Sequence, residues 1–300
     1  MITVENLSKR YGHHLAVDDV SFRCEPGTIT GFLGPNGAGK STSLRMITGL
    51  TPPTSGRALV DGRPFTDLPN PGREVGVLLD AAAVHPGRTG RETLRLTARL
   101  LDLPVRQADE MLERVGLAGA ASRRVGQYSL GMRQRLGIGS ALLGDPAVLI
   151  MDEPANGMDP EGIRWMRELL QDFAGRGGTV LLSSHLLAEV QATVDRLVVI
   201  GGGRIAADGV LSDLLRGSGS IVRGLDPAAL TTALRIAGLS VSPAANGAVT
   251  VAGSPEQVGR AAAAAGQVLL ELREQSSGLE DLFFSLTDGA SVAVAAGRAA

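Results

Sequence analysis

The stretch TITGFLGPNGAGKSTSLRMITGL, residues 28–50, sets the fold. Its first residues alternate like a strand, and KSTSLRMITGL has the spacing of a helix that stops at Gly49. Between them Gly34, Gly39, Lys40 and Ser41 satisfy the pattern G-x-x-x-x-G-K-[ST], in the strand–loop–helix context that gives the pattern its meaning. The stretch predicts a nucleoside triphosphate site. Gly34, Pro35, Asn36, Gly37, Ala38, Gly39 and the opening helical residues Lys40, Ser41 and Thr42 form the candidate cradle. Its glycines let backbone N–H groups converge on phosphate oxygens, helped by the positive end of the following helix. Lys40 would pair with the β and γ phosphates, and Ser41 offers a hydroxyl to Mg²⁺, which prefers hard oxygen ligands. A glycine-rich turn with an incidental lysine is the competing reading. Lysine occurs only at positions 9 and 40, so its presence here stands out.

A second element supports the first. AVLIMDEP, residues 147–154, is an apolar strand that delivers Asp152 and Glu153 to its C-terminal edge, where ligands sit in open α/β sheets. Asp152 is placed to hold the Mg²⁺ shell and Glu153 to polarise the water that attacks the γ-phosphate. Two acidic residues capping the next helix would explain one of them, but neither the strand nor Lys40.

Outward from these motifs, strands expected at 1–33, 75–79, 147–152, 179–185 and 196–209 alternate with helices. Uniformly apolar strands of this kind predict a largely parallel sheet covered on both faces. Residues 51–74 read as turns, and the helical pattern from Gly90 to about Gly144 reads as an insert. Past Asp213 the composition shifts to Ala, Gly and Ser, and the expected order becomes strand, helix, strand, strand, helix, strand. That is the split βαβ, ferredoxin-like pattern. It predicts a small α+β domain over 213–288, closing with a helix in GLEDLFFSLT at 278–287, before a disordered tail at 289–300.

With 300 residues and 44% apolar side chains the chain fits about two globular domains. No apolar run reaches the roughly 18–20 residues that cross a bilayer, and MITVENLSKRYG lacks a signal peptide's features, which predicts a cytoplasmic protein. Cys24 is the only cysteine, excluding an internal disulfide and a cysteine-built zinc site; it reads as a small buried hydrophobe. A formal charge of −2 gives no electrostatic reason to expect nucleic acid as a partner.

QYSLGMRQRLGIG, residues 127–139, is a second small-residue element before an expected helix. Read alone, Ser129 is equally well explained as that helix's N-cap. The order Lys40, Ser129, Asp152, His185 adds more. Residues 1–212 resemble the nucleotide-binding domain of ATP-binding cassette transporters, and the C-terminal extension resembles that of bacterial drug and antibiotic-peptide export ATPases of the daunorubicin or bacitracin resistance type. The resemblance implies an α/β P-loop NTPase fold with a helical subdomain at about 84–144. It further implies ATP and Mg²⁺ as cofactors, hydrolysis coupled to transport, pairing with a second copy or a related subunit, and a membrane permease as partner. The chain would sit on the inner face of the membrane through that permease.

Residue by residue, Ser129 and Gly131 match the family's signature motif and would bind the γ-phosphate of ATP held in another subunit's loop. Leu130 and Met132 replace its glycine and glutamine. Tyr11 in KRYGHH matches the aromatic residue that stacks on adenine, although a strand-edge tyrosine packing on the core fits the sequence as well. His185, ending LLSSH, matches the histidine that contacts the γ-phosphate and aligns water; a lone histidine is otherwise usually structural. Asp159 in NGMDP matches the loop that couples the two sites, and on its own would mark a turn. Asp80 stands where the family places a glutamine that touches Mg²⁺ and the attacking water. It still offers a hard oxygen, but adds negative charge beside the phosphates, so slower or more tightly coupled hydrolysis is expected.

Two rivals remain distinct. A soluble cassette ATPase acting on ribosomes or DNA would carry tandem cassettes or long coiled coils, and neither is found here. A P-loop kinase would keep Lys40, Ser41 and Asp152 without needing Ser129 or His185.

Overall fold

Strand β1 (Ile2–Tyr11) turns at Gly12 into β2 (His14–Cys24), and the pair buries Ile2, Val4, Leu7, Val17, Val20 and Phe22. All five residues of β3 (Ile29–Leu33) are buried, as a strand covered on both faces requires. The phosphate loop follows and opens α1 (Lys40–Ile47). Next, β4 (Ser55–Val60) pairs with β1 and completes a three-stranded antiparallel sheet in the order β2-β1-β4. This strand lies inside the segment that read as turns. Only Ala58, Leu59 and Val60 of it are even partly buried, so an edge strand left little apolar pattern to find.

The short α2 (Pro71–Glu74) leads into β5 (Val75–Leu78), and three helices then leave the sheet: α3 (Gly90–Leu100), α4 (Gln107–Arg114) and α5 (Leu130–Leu142). A complete capping box starts α3, with Thr89 and Glu92 satisfying each other's backbone N–H at 3.1 and 2.7 Å. The chain returns through β6 (Val148–Asp152), α6 (Pro160–Gly175), β7 (Thr179–Ser184), α7 (Leu187–Thr193), β8 (Arg196–Gly201) and β9 (Arg204–Val210). The six-stranded sheet runs β5-β6-β7-β3-β8-β9. It is parallel except that β9 pairs antiparallel with β8, so with the β2-β1-β4 sheet this part of the chain is mixed rather than simply parallel. Register aligns Leu33 with Ser184 and Asp152 with Ser183. The phosphate loop, Asp152, Glu153 and His185 therefore leave the sheet at one edge.

Phe32, Leu44, Ile150, Leu181 and Val198 sit in the core under this edge. Each such side chain, fully buried, stabilises the fold by about 1.5–3 kcal/mol.

The chain forms two compact units, built on Met1–Leu211 and Ser212–Leu282, and the computed structural model describes residues 1–276, 279–280, 282–283 and 286. After α8 (Leu211–Leu214), the second unit contains β10 (Arg216–Gly224), α9 (Pro227–Ile236), β11 (Val241–Pro243), β12 (Val249–Val251), α10 (Pro255–Ala264) and β13 (Leu269–Ser276). Its sheet runs β11-β12-β10-β13 with every neighbouring pair antiparallel. Val222, Leu230, Leu234, Val251, Val258 and Ala262 form its core. The helix expected over 278–287 is described only at residues 279–280, 282–283 and 286, and the tail at 289–300 lies outside the described residues.

Candidate functional site

Two glycines shape the phosphate loop. Gly34 leaves β3 so close to β8 that a Cβ would stand 2.4 Å from the Ile200 carbonyl oxygen. Gly39 caps α1 with φ 107°, a left-handed conformation that side chains resist. Lys40 follows, buried, with its ammonium donating to the carbonyl oxygens of Gly34 at 2.6 Å and Pro35 at 3.3 Å. Burial pulls the Lys40 pKa down, while Glu153 and Asp152 act in the opposite direction and favour its charge.

A recess of about 400 Å³ opens over this loop. Asn36, Gly37, Gly39, Lys40, Ser41 and Thr42 line it from the loop and the start of α1; Tyr11, His14 and Ala16 line it from β1 and β2, and Glu153 from the sheet edge. Gly34, Pro35 and Ala38 belong to the loop without lining the recess. Tyr11, which borders the recess, is half exposed, and Lys9 lies 5.1 Å over its ring.

The carboxylates are held by a network. Asp152 accepts a hydrogen bond from the Ser183 hydroxyl. The Glu153 N–H donates to both the Ser183 hydroxyl at 3.1 Å and the Ser183 carbonyl at 3.2 Å, which pins the residue at φ 49°. Gln134 on α5, itself buried, donates its Nε2 to the Glu153 carbonyl at 3.3 Å. The Glu153 Oε2 lies 2.7 Å from His185 Nδ1 and accepts the His185 backbone N–H at 3.3 Å. Ser183 and Gln134 fix the Glu153 backbone and His185 holds its carboxylate, so the carboxylate stands where it can orient a water and take its proton. Ser41 and Asp152 offer a hydroxyl and a carboxylate, both hard oxygen donors suited to Mg²⁺.

Ser129 and Gly131 are not in this recess. They line another, of about 590 Å³, with Met132, Gly157, Asp159 and Gly162 among its walls. Ser129 caps α5, its hydroxyl accepting from Met132 N–H at 3.2 Å, and Asp159 caps α6, accepting from Gly162 N–H at 2.8 Å. Leu130, the residue in place of the signature glycine, lies against Gly157. The two recesses share no lining residue. Asp80 is exposed, its Oδ1 accepting from Ala82 N–H at 2.7 Å within its own turn. Three neighbours of the chemistry escaped the sequence: His14 beside Tyr11, Ser183 between the acids, and Gln134. A polar Ser-Ser pair ending an apolar strand was the available signal for Ser183.

Over 208 residues the chain is 41% identical to the Bacitracin transport ATP-binding protein BcrA of Bacillus licheniformis, spanning 68% of this chain and 68% of that protein. The chain belongs to the ABC transporter ATP-binding family. A family model described as ABC transporter matches residues 17–156 of this ABC ATPase, and a second, described as Domain of unknown function (DUF8746), matches residues 221–280. It is 39% identical over 218 residues to the Daunorubicin resistance ATP-binding protein DrrA3 of Streptomyces coeruleorubidus, covering 71% of this chain and 69% of that one. A solved Structure of ATP binding subunit of ABC transporter superposes with TM-score 0.66 at 30% identity, covering 71% of this chain and 91% of that chain. The ABC ATPase binds ATP and hydrolyses it to energise a transporter. Among the described residues no helix is long and apolar enough to cross a membrane.

Proposed function

We propose that this ABC ATPase works as a pair of copies, each lending the other the wall its nucleotide site lacks, on the cytoplasmic face of a permease that exports a drug, antibiotic or peptide. The observation that carries the proposal is the separation of the Lys40 recess from the Ser129 recess. A hydroxyl, a close backbone approach at Gly131 and a helix N-terminus make an anion site that one chain leaves unfinished. The residues of 34–42 hold the phosphates and Tyr11 stacks on the base. Ser41 and Asp152, with Asp80 from the turn after β5, would hold Mg²⁺, which would supply charge neutralisation at the phosphates. Glu153 takes the proton of the attacking water, His185 orients Glu153, and Ser129 and Gly131 of one copy contact the γ-phosphate held by the other. Asp159 joins the two sites.

ATP held between two copies stabilises the closed pair, and hydrolysis removes the γ-phosphate contacts so that it reopens. The export class rests on the names of relatives, which are transport and resistance ATP-binding proteins. The recess at His85, Arg88, Arg95, Leu96 and Arg99 on the α3 side supports docking of a permease loop on the helical subdomain at about 84–144. The domain division is 1–212 for the ATPase and 213–288 for an accessory domain. The strand order and alternating helices of the latter support a ferredoxin-like assignment, with a part in pairing or its regulation.

The test is to purify the chain from membranes and measure phosphate release. Co-purification of a permease, with inorganic phosphate as product, is the expected result. Association with ribosomes or DNA and no membrane recovery would instead favour the soluble rival, which relatives named for transport do not.

A further inference from the structure

Residues 86–91 are bound through their backbone to residues 121–126, the segment that precedes Ser129. Gly126 N–H donates to the Pro86 carbonyl at 2.9 Å, Val125 N–H to Arg88 at 2.8 Å, Gly90 N–H to Arg123 at 3.3 Å and Arg91 N–H to Ala121 at 3.0 Å. Thr89 and Arg124 form a bridge in the middle of this ladder. At its end Tyr128 is buried, and its hydroxyl donates to the Ala120 carbonyl at 2.8 Å. The ring lies directly against Gly90, where a Cβ would stand 2.2 Å from the phenol oxygen and 3.1 Å from Cζ. No side chain fits at 90 while that ring stays in place. Tyr128 is joined by one peptide bond to Ser129, whose hydroxyl caps α5.

We propose that Tyr128, seated on Gly90, is the positioning residue that fixes where Ser129 and Gly131 stand, so that residues 85–91 and the signature element move as one piece. This rests on the assignment of Ser129 and Gly131 as the anion site that completes a second copy's nucleotide. The physical grounds are local. A buried aromatic ring with its only polar atom satisfied has one low-energy seat, and the backbone ladder leaves the segment beside it no independent freedom. A shift of residues 85–91, the side on which a permease loop would press, is then handed to Ser129 without loss through flexible chain.

The test uses the full chain and measures kcat and ATP affinity separately. Gly90→Ala drives a methyl into the phenol oxygen, so kcat should fall roughly tenfold or more while ATP affinity at the Lys40 recess stays within about twofold. Tyr128→Phe removes the atom that the methyl meets. The double variant Gly90→Ala/Tyr128→Phe should therefore regain the turnover of Tyr128→Phe alone, a rescue that the remaining 3.1 Å contact permits with a shift of a few tenths of an ångström. Should Gly90→Ala not accumulate folded, Tyr128→Leu gives the same split, a lowered kcat with ATP affinity kept. Full turnover in Gly90→Ala, a loss that Phe does not relieve, or equal losses in kcat and ATP affinity would overturn the proposal. A parallel Ser129→Arg chain separates the two levels: wild-type hydrolysis there would remove the signature assignment itself, whereas a dead Ser129→Arg with an active Gly90→Ala removes only the role of Tyr128.

Discussion

Glu153 Oε2 and His185 Nδ1 stand 2.7 Å apart, joining the end of β6 to the end of β7 where both strands leave the sheet. His185 is about half exposed and Glu153 a quarter, so the pair faces outward from the edge rather than serving the core. In Glu153→Gln the amide keeps the shape and loses the base. Hydrolysis should drop by about 10²- to 10⁴-fold with ATP binding retained. His185→Ala leaves the carboxylate present but untethered, and a smaller loss, on the order of tenfold to hundredfold, is expected. Single-turnover phosphate release beside a nucleotide-binding titration checks both.

Lys40 is the one buried ammonium beside two carboxylates at the recess. Lys40→Ala should weaken ATP binding on the order of hundredfold or more, since it removes the charge proposed to meet the phosphates and leaves Glu153 and Asp152 without it. Titration with a fluorescent ATP analogue measures this. Affinity near that of the natural chain would place the nucleotide elsewhere.

Asp80 spends one carboxylate oxygen on its own turn, through Ala82 N–H. The substitution Asp80→Gln removes a negative charge from the turn after β5 and lengthens the reach by one carbon. Faster turnover and a lower Mg²⁺ concentration for half-maximal rate are expected, read from phosphate release across a Mg²⁺ series. Unchanged turnover and unchanged Mg²⁺ dependence would show that Asp80 has no part in the reaction.

Cys24 gives a probe of stability. Burial pushes its thiol from 9.0 up to about 12. Because the folded value lies above the unfolded one, the stability tied to the neutral thiol is whole below pH 9 and is lost as pH climbs toward 12. Cys24→Ala should flatten the stability–pH curve in that window by up to about 1.4 kcal/mol per pH unit relative to the natural chain. At pH 8 a thiol reagent should label Cys24 only as fast as the protein opens, which comparison with chemical denaturation can check.

Much of the site was legible because its chemistry sits at strand ends that are written locally. The loop at 34–42, the strand reaching Asp152 and the strand reaching His185 each carry their own apolar run and turn. Ser183 and Gln134 were not legible. Their meaning comes from β7 lying next to β6 and from α5 packing beneath Glu153, which are pairings between residues 31 and 19 positions apart along the chain. β4 was hidden for a related reason, since an edge strand buries one side and three of its six residues stay exposed. Ser129 shows the limit of local pattern from the other direction. Its capping of α5 is visible in the fold, and the proposal gives the same hydroxyl to another chain's phosphate, so that capping and anion binding would be two uses of one helix N-terminus.

The central claim, that each nucleotide site is finished by a second copy, is tested most directly by mixing two defective chains. Lys40→Ala lacks its own phosphate grip, and Ser129→Arg lacks the wall it lends. Each should be inactive alone, while a mixed pair holds one intact Lys40 facing one intact Ser129. The account predicts that mixing restores phosphate release that neither variant shows by itself. A mixture as inactive as its parts, or a Ser129→Arg chain that hydrolyses ATP at full speed alone, would contradict it.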